Sequence, residues 1–271
     1  MKDRSGYSRG TVLSIWDRAR ILMSGDPASE PLAIMTIFGA TGGDPLVLVA
    51  GFLGSVAQWR EYEADWSALL DGCGLLLPRP LDAMIEALRA LPSTRRLALV
   101  RDMGGLMTKH GLFGRGAFIR AADFAAVAGL LGDDSVDARC EICAIACLEQ
   151  LSALCASYFN RRRLTIAFKN QEQELNFLRL YEHLARETAS NPAGALQMNN
   201  LMFYSEARSI ATRAVDVLAY MIFASCIHEE EGAEVGDSSR PDRDSLPIRV
   251  IEIDDAAIVA SATWVRALPP R

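Results

Sequence analysis

Residues 46–70 have the sequence LVLVAGFLGSVAQWREYEADWSALL, in which an apolar run passes directly into a helical pattern. Residues 46–53 are almost continuously apolar and have the length of a buried strand. From Ser55 onward, large apolar side chains recur at helical spacing and charged residues occupy the other face. The stretch predicts a buried strand followed by an amphipathic helix, whose apolar positions include Val56, Trp59, Tyr62, Trp66, Leu69 and Leu70.

A second apolar run precedes this stretch, at residues 32–38. Residues 39–45, with the sequence GATGGDP, connect the two runs, and such glycine-rich punctuation predicts a hairpin. This segment lacks the Lys-Ser/Thr pair of a phosphate-binding loop, and it leads into a strand instead of a helix. Residues 39–43 are therefore expected to form the turn of the hairpin.

Strand and helix patterns continue to the end of the chain without an internal repeat, which predicts an α/β fold with a helical insert. Ser93 is a suitable N-cap for the third helix of the main domain. The predicted helices are residues 11–23, 55–70, 81–91, 93–109, 121–131, 136–158, 170–187 and 210–228. The further predicted strands are residues 111–120, 164–168, 201–204 and 246–253.

Changes in composition predict three segments. Residues 1–26 are an N-terminal helical arm, which ends at a cluster of turn-forming residues. Residues 27–228 are one α/β domain, large enough to bury a substantial core. Residues 229–271 are an acidic linker and a C-terminal extension, and the acidic, glycine- and serine-bearing part of the linker is expected to be mobile.

The composition restricts the classes of partner and compartment. The formal net charge is -6, so nucleic-acid binding would depend on a local basic patch and not on long-range attraction. No apolar run is long enough to cross a bilayer, and the first residues are charged instead of forming a secretion signal. The six cysteines are read as reduced thiols. A cytoplasmic protein without a membrane partner is expected.

Three stretches resemble the bacterial and phage family catalogued as domain of unknown function 3800. Residues 48–52 (LVAGF) and 58–66 (QWREYEADW) match the family's second strand and its first long helix. Residues 213–220 (RAVDVLAY) resemble its closing helix signature, and the likeness covers about residues 34–228. The resemblance implies an RNase H-like fold, a mixed sheet flanked by helices, in which several carboxylates hold divalent metal ions.

The chain departs from this family at the metal-holding positions. The resemblance places Gly39 and Ala40 where the family has an acidic pair, and Lys169 where it has a central-strand acid; a family histidine falls near Arg79. Of the acidic positions that the resemblance implies, only position 216 has an acidic residue here, Asp216. One carboxylate cannot organise two magnesium ions, and a lysine beside the site would repel the first. The resemblance thus implies a catalytically inactive member without a cofactor.

A relocated carboxylate cluster is the alternative. Asp44, Glu172 and Glu174 lie near the lost positions in sequence, and with Asp216 they could hold Mg²⁺ or Mn²⁺ in an active nuclease. The simpler reading makes Asp44 a turn residue and the two glutamates first-turn helix residues. Asp216, on an apolar helix, would then be paired with Lys169 or Arg213.

An inactive protein of this kind is expected to act by binding nucleic acid, or a protein partner in a phage-related or defence complex. The candidate nucleic-acid contacts are Arg161, Arg162, Arg163, Lys169 and Arg213. Arg95-Arg96 is the other concentrated basic feature. Short basic runs at element boundaries are also common as solvated faces. A structural homo-oligomeric subunit is the third possibility.

Two further residue classes were weighed as sites. Cys140, Cys143 and Cys147 share one face of a predicted helix, with Cys155 farther along, but they alternate with apolar residues and are read as core packing instead of a metal site. The three histidines are far apart and belong to no catalytic motif, so each is read as a surface or helix-end residue. They are His110, His183 and His228.

Overall fold

The computed structural model describes most of the predicted domain. The described residues are 34–42, 45–75, 81–131, 136–158, 164–169, 198–204, 210–230 and 248–259, the last without 255 and 257. The predicted N-terminal arm, the helix predicted at 170–187 and residues 231–247 of the linker lie outside these ranges.

Within these ranges the chain forms six strands and six helices. The strands are β1 (Ile34–Gly42), β2 (Leu46–Ser55), β3 (Phe113–Arg120), β4 (Leu164–Lys169), β5 (Met198–Tyr204) and β6 (Ile248–Glu252). The helices are α1 (Val56–Gly72), α2 (Leu81–Arg89), α3 (Ser93–Lys109), α4 (Ala121–Leu131), α5 (Val136–Tyr158) and α6 (Ile210–Glu230). Each confirms the kind of element predicted there.

The six strands form one sheet in the order β5-β4-β1-β2-β3-β6. The strands β1, β2 and β3 are successive antiparallel neighbours. β4 runs parallel to β1, and β5 runs parallel to β4. β6 lies at the opposite edge, parallel to β3. The prediction of an α/β fold with a mixed sheet and flanking helices is confirmed.

Helices cover both faces of β2, which explains its continuous apolar sequence. Every residue from Leu46 to Gly54 is buried. Alternate residues of a strand point to opposite faces, so each face needs its own apolar set. Leu46, Leu48, Ala50 and Phe52 enter a core with α1, α2, α3 and α6, called here the α6-side core. Val47, Val49 and Leu53 enter a second core with α4 and α5, called here the α5-side core.

The helix α1 starts without a loop after β2. Ser55 is its N-cap: the Ser55 hydroxyl accepts from the Gln58 backbone N–H at 3.2 Å, and the Gln58 side chain accepts from the Ser55 N–H at 2.7 Å. This reciprocal pair satisfies two of the helix's free N–H groups. The predicted apolar face is confirmed, because Val56, Trp59, Tyr62, Trp66 and Leu70 are all buried.

Two local predictions were wrong. β1 continues through Gly39–Gly42, predicted as a turn, and Gly39 and Ala40 pair with Ala50 and Val49 of β2. Glycine can occupy a strand position when the neighbouring strand supplies the pairing, so glycine did not mark a turn here. The N-cap of α3 is Pro92 instead of Ser93; the Pro92 carbonyl accepts the first N–H groups of the helix, and no side chain caps it.

The C-terminal residues belong to the same sheet. The strand predicted at 246–253 is confirmed as β6, and the Ile253 N–H donates to the carbonyl of Phe118 on β3. Ile253 and Ile258 are buried in the α5-side core. The domain end predicted at residue 228 therefore leaves out a strand of the sheet.

Candidate functional site

Two of the positions where the resemblance implies acids lie side by side on neighbouring strands. Phe38 of β1 pairs with Phe168 of β4, so the next positions, Gly39 and Lys169, lie at the same level near the ends of these parallel strands. Parallel neighbours are about 4.8 Å apart across a sheet. The register thus brings together the residues that replace two of the implied acids.

The strand pairing relates Gly39 and Ala40 to the two cores. Gly39 is opposite Ala50, which lies in the α6-side core. Ala40 is opposite Val49, which lies in the α5-side core. The two β1 positions of the implied acidic pair therefore have β2 partners that enter different cores.

Asp216 and Arg213 lie one helical turn apart on α6, which packs against β1 and β2. The exposed fractions are 4% for Asp216 and 6% for Arg213, and both residues take part in polar or electrostatic interactions. Charged groups are retained in a core when they are compensated. Arg213, named both as a candidate nucleic-acid contact and as a possible partner of Asp216, is buried next to Asp216 on this helix.

The remaining predicted site residues lie outside the described ranges. These are Asp44, Glu172 and Glu174 of the alternative metal cluster, and Arg161, Arg162 and Arg163 of the basic turn. Among the described residues, no group of three or more histidine, cysteine, aspartate or glutamate side chains is placed to hold a metal ion. The relocated cluster stays a prediction.

A polar cluster between α1 and α3 was not predicted. His110, the C-cap of α3, has a side chain only 7% exposed. Its Nε2 lies 2.8 Å from Asp65 Oδ2, and its Nδ1 lies 3.5 Å from Glu61 Oε2. The Lys109 ammonium donates to the same Asp65 oxygen. The helix-end reading of His110 is confirmed, but the side chain is enclosed.

This arrangement fastens two helices and is poorly suited to proton transfer. Both ring nitrogens of His110 face carboxylates, so neither is directed toward a substrate. The ring also meets Tyr62 edge-on, with 6.3 Å between centroids. The only sequence signal was the spacing of Glu61 and Asp65, which puts both acids on one face of α1.

The same cluster predicts an acid-dependent loss of stability. The hydrogen bonds from Lys109 and then His110 hold the pKa of Asp65 below its usual value. A carboxylate with a lowered folded-state pKa stabilises the fold above its unfolded pKa, about 3.9, and this contribution disappears as the pH falls through the folded pKa. Asp65→Asn should therefore be less stable than the wild type at pH 7, and the difference should shrink on acidification.

Urea unfolding of both proteins at pH 7 and at pH values below 4 measures this difference. Asp71→Asn, which changes an exposed aspartate of the same helix, is the matched control and should give no comparable pH-dependent gap. A gap between Asp65→Asn and the wild type that stays constant with pH would contradict the assignment.

The cysteine face of α5 packs against the sheet, as predicted. Cys140, Cys143 and Cys147 are buried in the α5-side core. The Cys143 thiol donates to the carbonyl of Val47 at 3.7 Å, and the Cys147 thiol donates to the carbonyl of Arg115 at 3.2 Å. Burial raises the pKa of Cys143 and raises that of Cys147 to about 12. Buried thiols of this kind are inert nucleophiles.

Alkylation should distinguish these thiols from Cys73, which is only partly buried. In native protein at pH 8, we expect iodoacetamide to modify Cys73 well before Cys143 and Cys147, because the reagent needs an accessible thiolate. Peptide mass spectrometry after timed quenching measures the order, and urea-unfolded protein supplies the control in which the difference disappears. Equal rates in the native protein would be incompatible with this packing.

The first turn of α3 carries the basic pair Arg95-Arg96. Arg95 is exposed and Arg96 partly exposed, and the first turn contains no acidic residue. The N-terminus of a helix carries a partial positive charge, so two arginines there add to the helix dipole instead of opposing it. This positive helix end is available to phosphate groups.

The comparisons with known proteins give no name to this site. No protein-family model matches the chain, and no curated protein matches it. Within the described segments, no helix is both long and apolar enough to span a membrane.

Proposed function

We propose that this chain is an RNase H-like protein that has lost its metal-holding acids and acts by binding nucleic acid without cleaving it. The observation that carries the proposal is the strand register, which brings Gly39 of β1 next to Lys169 at the end of β4. The resemblance to domain of unknown function 3800 implies carboxylates at both positions.

The strand arrangement supports the RNase H-like assignment. Three successive strands, β1 to β3, form an antiparallel meander, and the later strands β4 and β5 are added in parallel on the side of β1. In this arrangement position 39 of β1 is next to position 169 of β4, so acids at these two positions could share metal ions. We propose that a protein without those acids keeps a binding role and loses cleavage.

The electrostatics support inactivity. Two divalent cations a few ångströms apart need several oxygen ligands to offset their mutual repulsion. Glycine and alanine supply no side-chain oxygen at positions 39 and 40, and an ammonium group at position 169 adds positive charge. Asp216, buried on α6, is left as one carboxylate of the implied set.

The same losses favour polyanion binding at this end of the sheet. A site that holds a phosphate chain through metal ions becomes less negative when its acids are removed, and Lys169 then contributes a direct positive charge. Arg161, Arg162 and Arg163 precede the first residue of β4, so in sequence they belong to the other end of this strand from Lys169 and form a separate candidate contact. Arg95-Arg96 is the third basic feature. A protein partner in a phage-related or defence complex is the other binding role implied by the resemblance.

Nuclease and binding assays on the full chain test the proposal. With Mg²⁺ or Mn²⁺ we expect no cleavage of RNA, DNA or hybrid duplexes, but retention of labelled strands at low salt that weakens as salt rises. Replacing Arg161, Arg162 and Arg163 with alanine should weaken retention and reduce its salt dependence. Arg101→Ala, an exposed arginine in the middle of α3, is the matched control.

Two outcomes would overturn the proposal. Metal-dependent cleavage that is abolished by Asp216→Asn would establish the active nuclease with a relocated cluster of Asp44, Glu172 and Glu174. Stable self-association with no retention of any nucleic acid at low salt would establish the structural homo-oligomeric subunit instead.

A further inference from the structure

Two arginines from distant parts of the chain lie opposite each other at one edge of the sheet. Arg115 of β3 pairs with Arg249 of β6, and β6 is the last strand on this side of the described sheet. Arg115 is partly buried and Arg249 is exposed. Neighbouring strands are about 4.8 Å apart, so the backbone register holds two positively charged residues close together.

Both arginines are on the face of the sheet that α5 covers. Ala117 and Ile251 form the pair two residues farther along these strands; Ala117 is buried in the α5-side core and Ile251 packs against it. Residues two apart in a strand share a face. On its other side Arg115 pairs with Gly51 of β2, which has no side chain. Arg249 is therefore the neighbour of Arg115 that brings a side chain to this level of the sheet.

The same two strands carry a pair of opposite charges farther along. Arg120 of β3 and Glu252 of β6 form an ion pair. Opposite charges on neighbouring strands stabilise a sheet, whereas like charges directly opposite each other destabilise it. Arg115 Nη1 donates to the carbonyl of Gly114 at 2.7 Å, and Arg249 makes no hydrogen bond or ion pair within the described residues. The register thus places an acid beside one arginine and a second arginine beside the other.

We propose that Arg115 and Arg249 form an anion site that takes a phosphate group, either of free phosphate or of a nucleic-acid backbone. A guanidinium group presents its N–H donors in a planar fork that matches phosphate oxygens, and an anion between two such groups offsets their repulsion. The ligand supplies the negative charge that Glu252 supplies for Arg120. The site is at the opposite edge of the sheet from β4 and β5, so it is separate from Lys169.

Thermal unfolding of the full chain with and without inorganic phosphate tests the site. Phosphate at about five times its dissociation constant should raise the melting temperature of the wild type by roughly 2–4 °C more than that of Arg249→Ala, because a ligand of the folded state stabilises it by mass action. Sodium chloride at equal ionic strength is the reference, since phosphate also stabilises proteins in general. That general effect is common to both proteins and cancels in the comparison.

Two further variants separate the site from a loss of folding. Arg249→Glu puts an acid opposite Arg115, so this variant should melt above the wild type in phosphate-free buffer and lose the extra response to phosphate. Arg101→Ala, which removes an exposed arginine of α3, is the matched control and should keep the wild-type response.

Retention of a labelled oligonucleotide at low salt distinguishes the two sources of the phosphate group. Weaker retention by Arg249→Ala than by Arg101→Ala would assign the site to a nucleic-acid backbone. A phosphate response that depends on Arg249, with unchanged retention, would assign it to free phosphate. If the wild type retains no nucleic acid, the proposed function fails, whereas the melting experiment still decides this site. An Arg249→Ala protein that matches the wild type in both measurements would overturn the inference.

Discussion

Replacing Trp66 with alanine should lower the free energy of unfolding by about 3–5 kcal/mol, the range typical of large aromatic deletions in cores. Trp66 of α1 is fully buried in the α6-side core. Its ring packs against Tyr62 with 5.8 Å between centroids, and Tyr62 meets Trp59 edge-on at the same distance. Removing the Trp66 ring opens a cavity in this core. Urea unfolding followed by circular dichroism measures the loss.

Tyr62→Phe is the matched control on the same helix face. The Tyr62 hydroxyl is buried and has no hydrogen-bond partner among the described residues, and burial raises the pKa of this group. Removing an unsatisfied buried hydroxyl keeps the ring packing and relieves a desolvation cost, so stability should stay within about 1 kcal/mol of the wild type or rise. A loss as large as that of Trp66→Ala would show that the hydroxyl is bonded.

Gly114→Ala should destabilise the protein by about 1–3 kcal/mol, the usual cost of forcing extra atoms into a packed contact. The new methyl would lie 2.7 Å from Ile248 Cγ1, and both residues belong to paired strands that cannot separate without losing backbone hydrogen bonds. The free energy of unfolding again measures the effect. Increased cleavage by protease after residue 230 would accompany it, because β6 is displaced.

The control for Gly114→Ala is a glycine in open surroundings. A Cβ atom at Gly105 on α3 would meet nothing within 4 Å, and alanine is favoured over glycine in a helix, so Gly105→Ala should gain about 0.5–1 kcal/mol. Ile248→Ala removes Cγ1 and Cδ1, two of the three atoms within 3.0 Å of the new methyl, so combining it with Gly114→Ala should cost less than the sum of the two changes. Strict additivity would refute the steric explanation.

The periodicity of apolar residues predicted most of the helices and strands, but it did not predict the order of the strands in the sheet. The aromatic face of α1 and the cysteine face of α5 follow from helical spacing, and both are buried as predicted. The order of strands depends on contacts between distant segments, which a period does not encode. Gly39 illustrates the limit, because glycine occurs in turns and also within strands, and only its pairing with Ala50 in the folded protein shows that it belongs to a strand.

The site was predictable in part for the same reason. The resemblance pointed to Gly39, Lys169 and Asp216, and the register now puts the first two side by side on neighbouring strands. The contact of His110 with Asp65 joins residues far apart in the chain, and no sequence motif predicts it. Two roles were predicted for Arg213, a nucleic-acid contact and a partner of Asp216, because a single arginine on an apolar helix is compatible with either a surface or a core position; the structure buries it.

The direct junction at Ser55 fixes the rotation of α1 about its own axis relative to the sheet. Because no spacer separates β2 from α1, inserting one residue there would rotate the whole helix by about 100° and carry its aromatic side toward water. Insertions and deletions are expected to be tolerated in the longer connections of the chain. Between β2 and α1 we expect substitutions to be tolerated but not insertions or deletions. β2 and α1 are therefore expected to move together as one rigid unit, so a displacement of the end of β2 also displaces the buried aromatic side chains of α1.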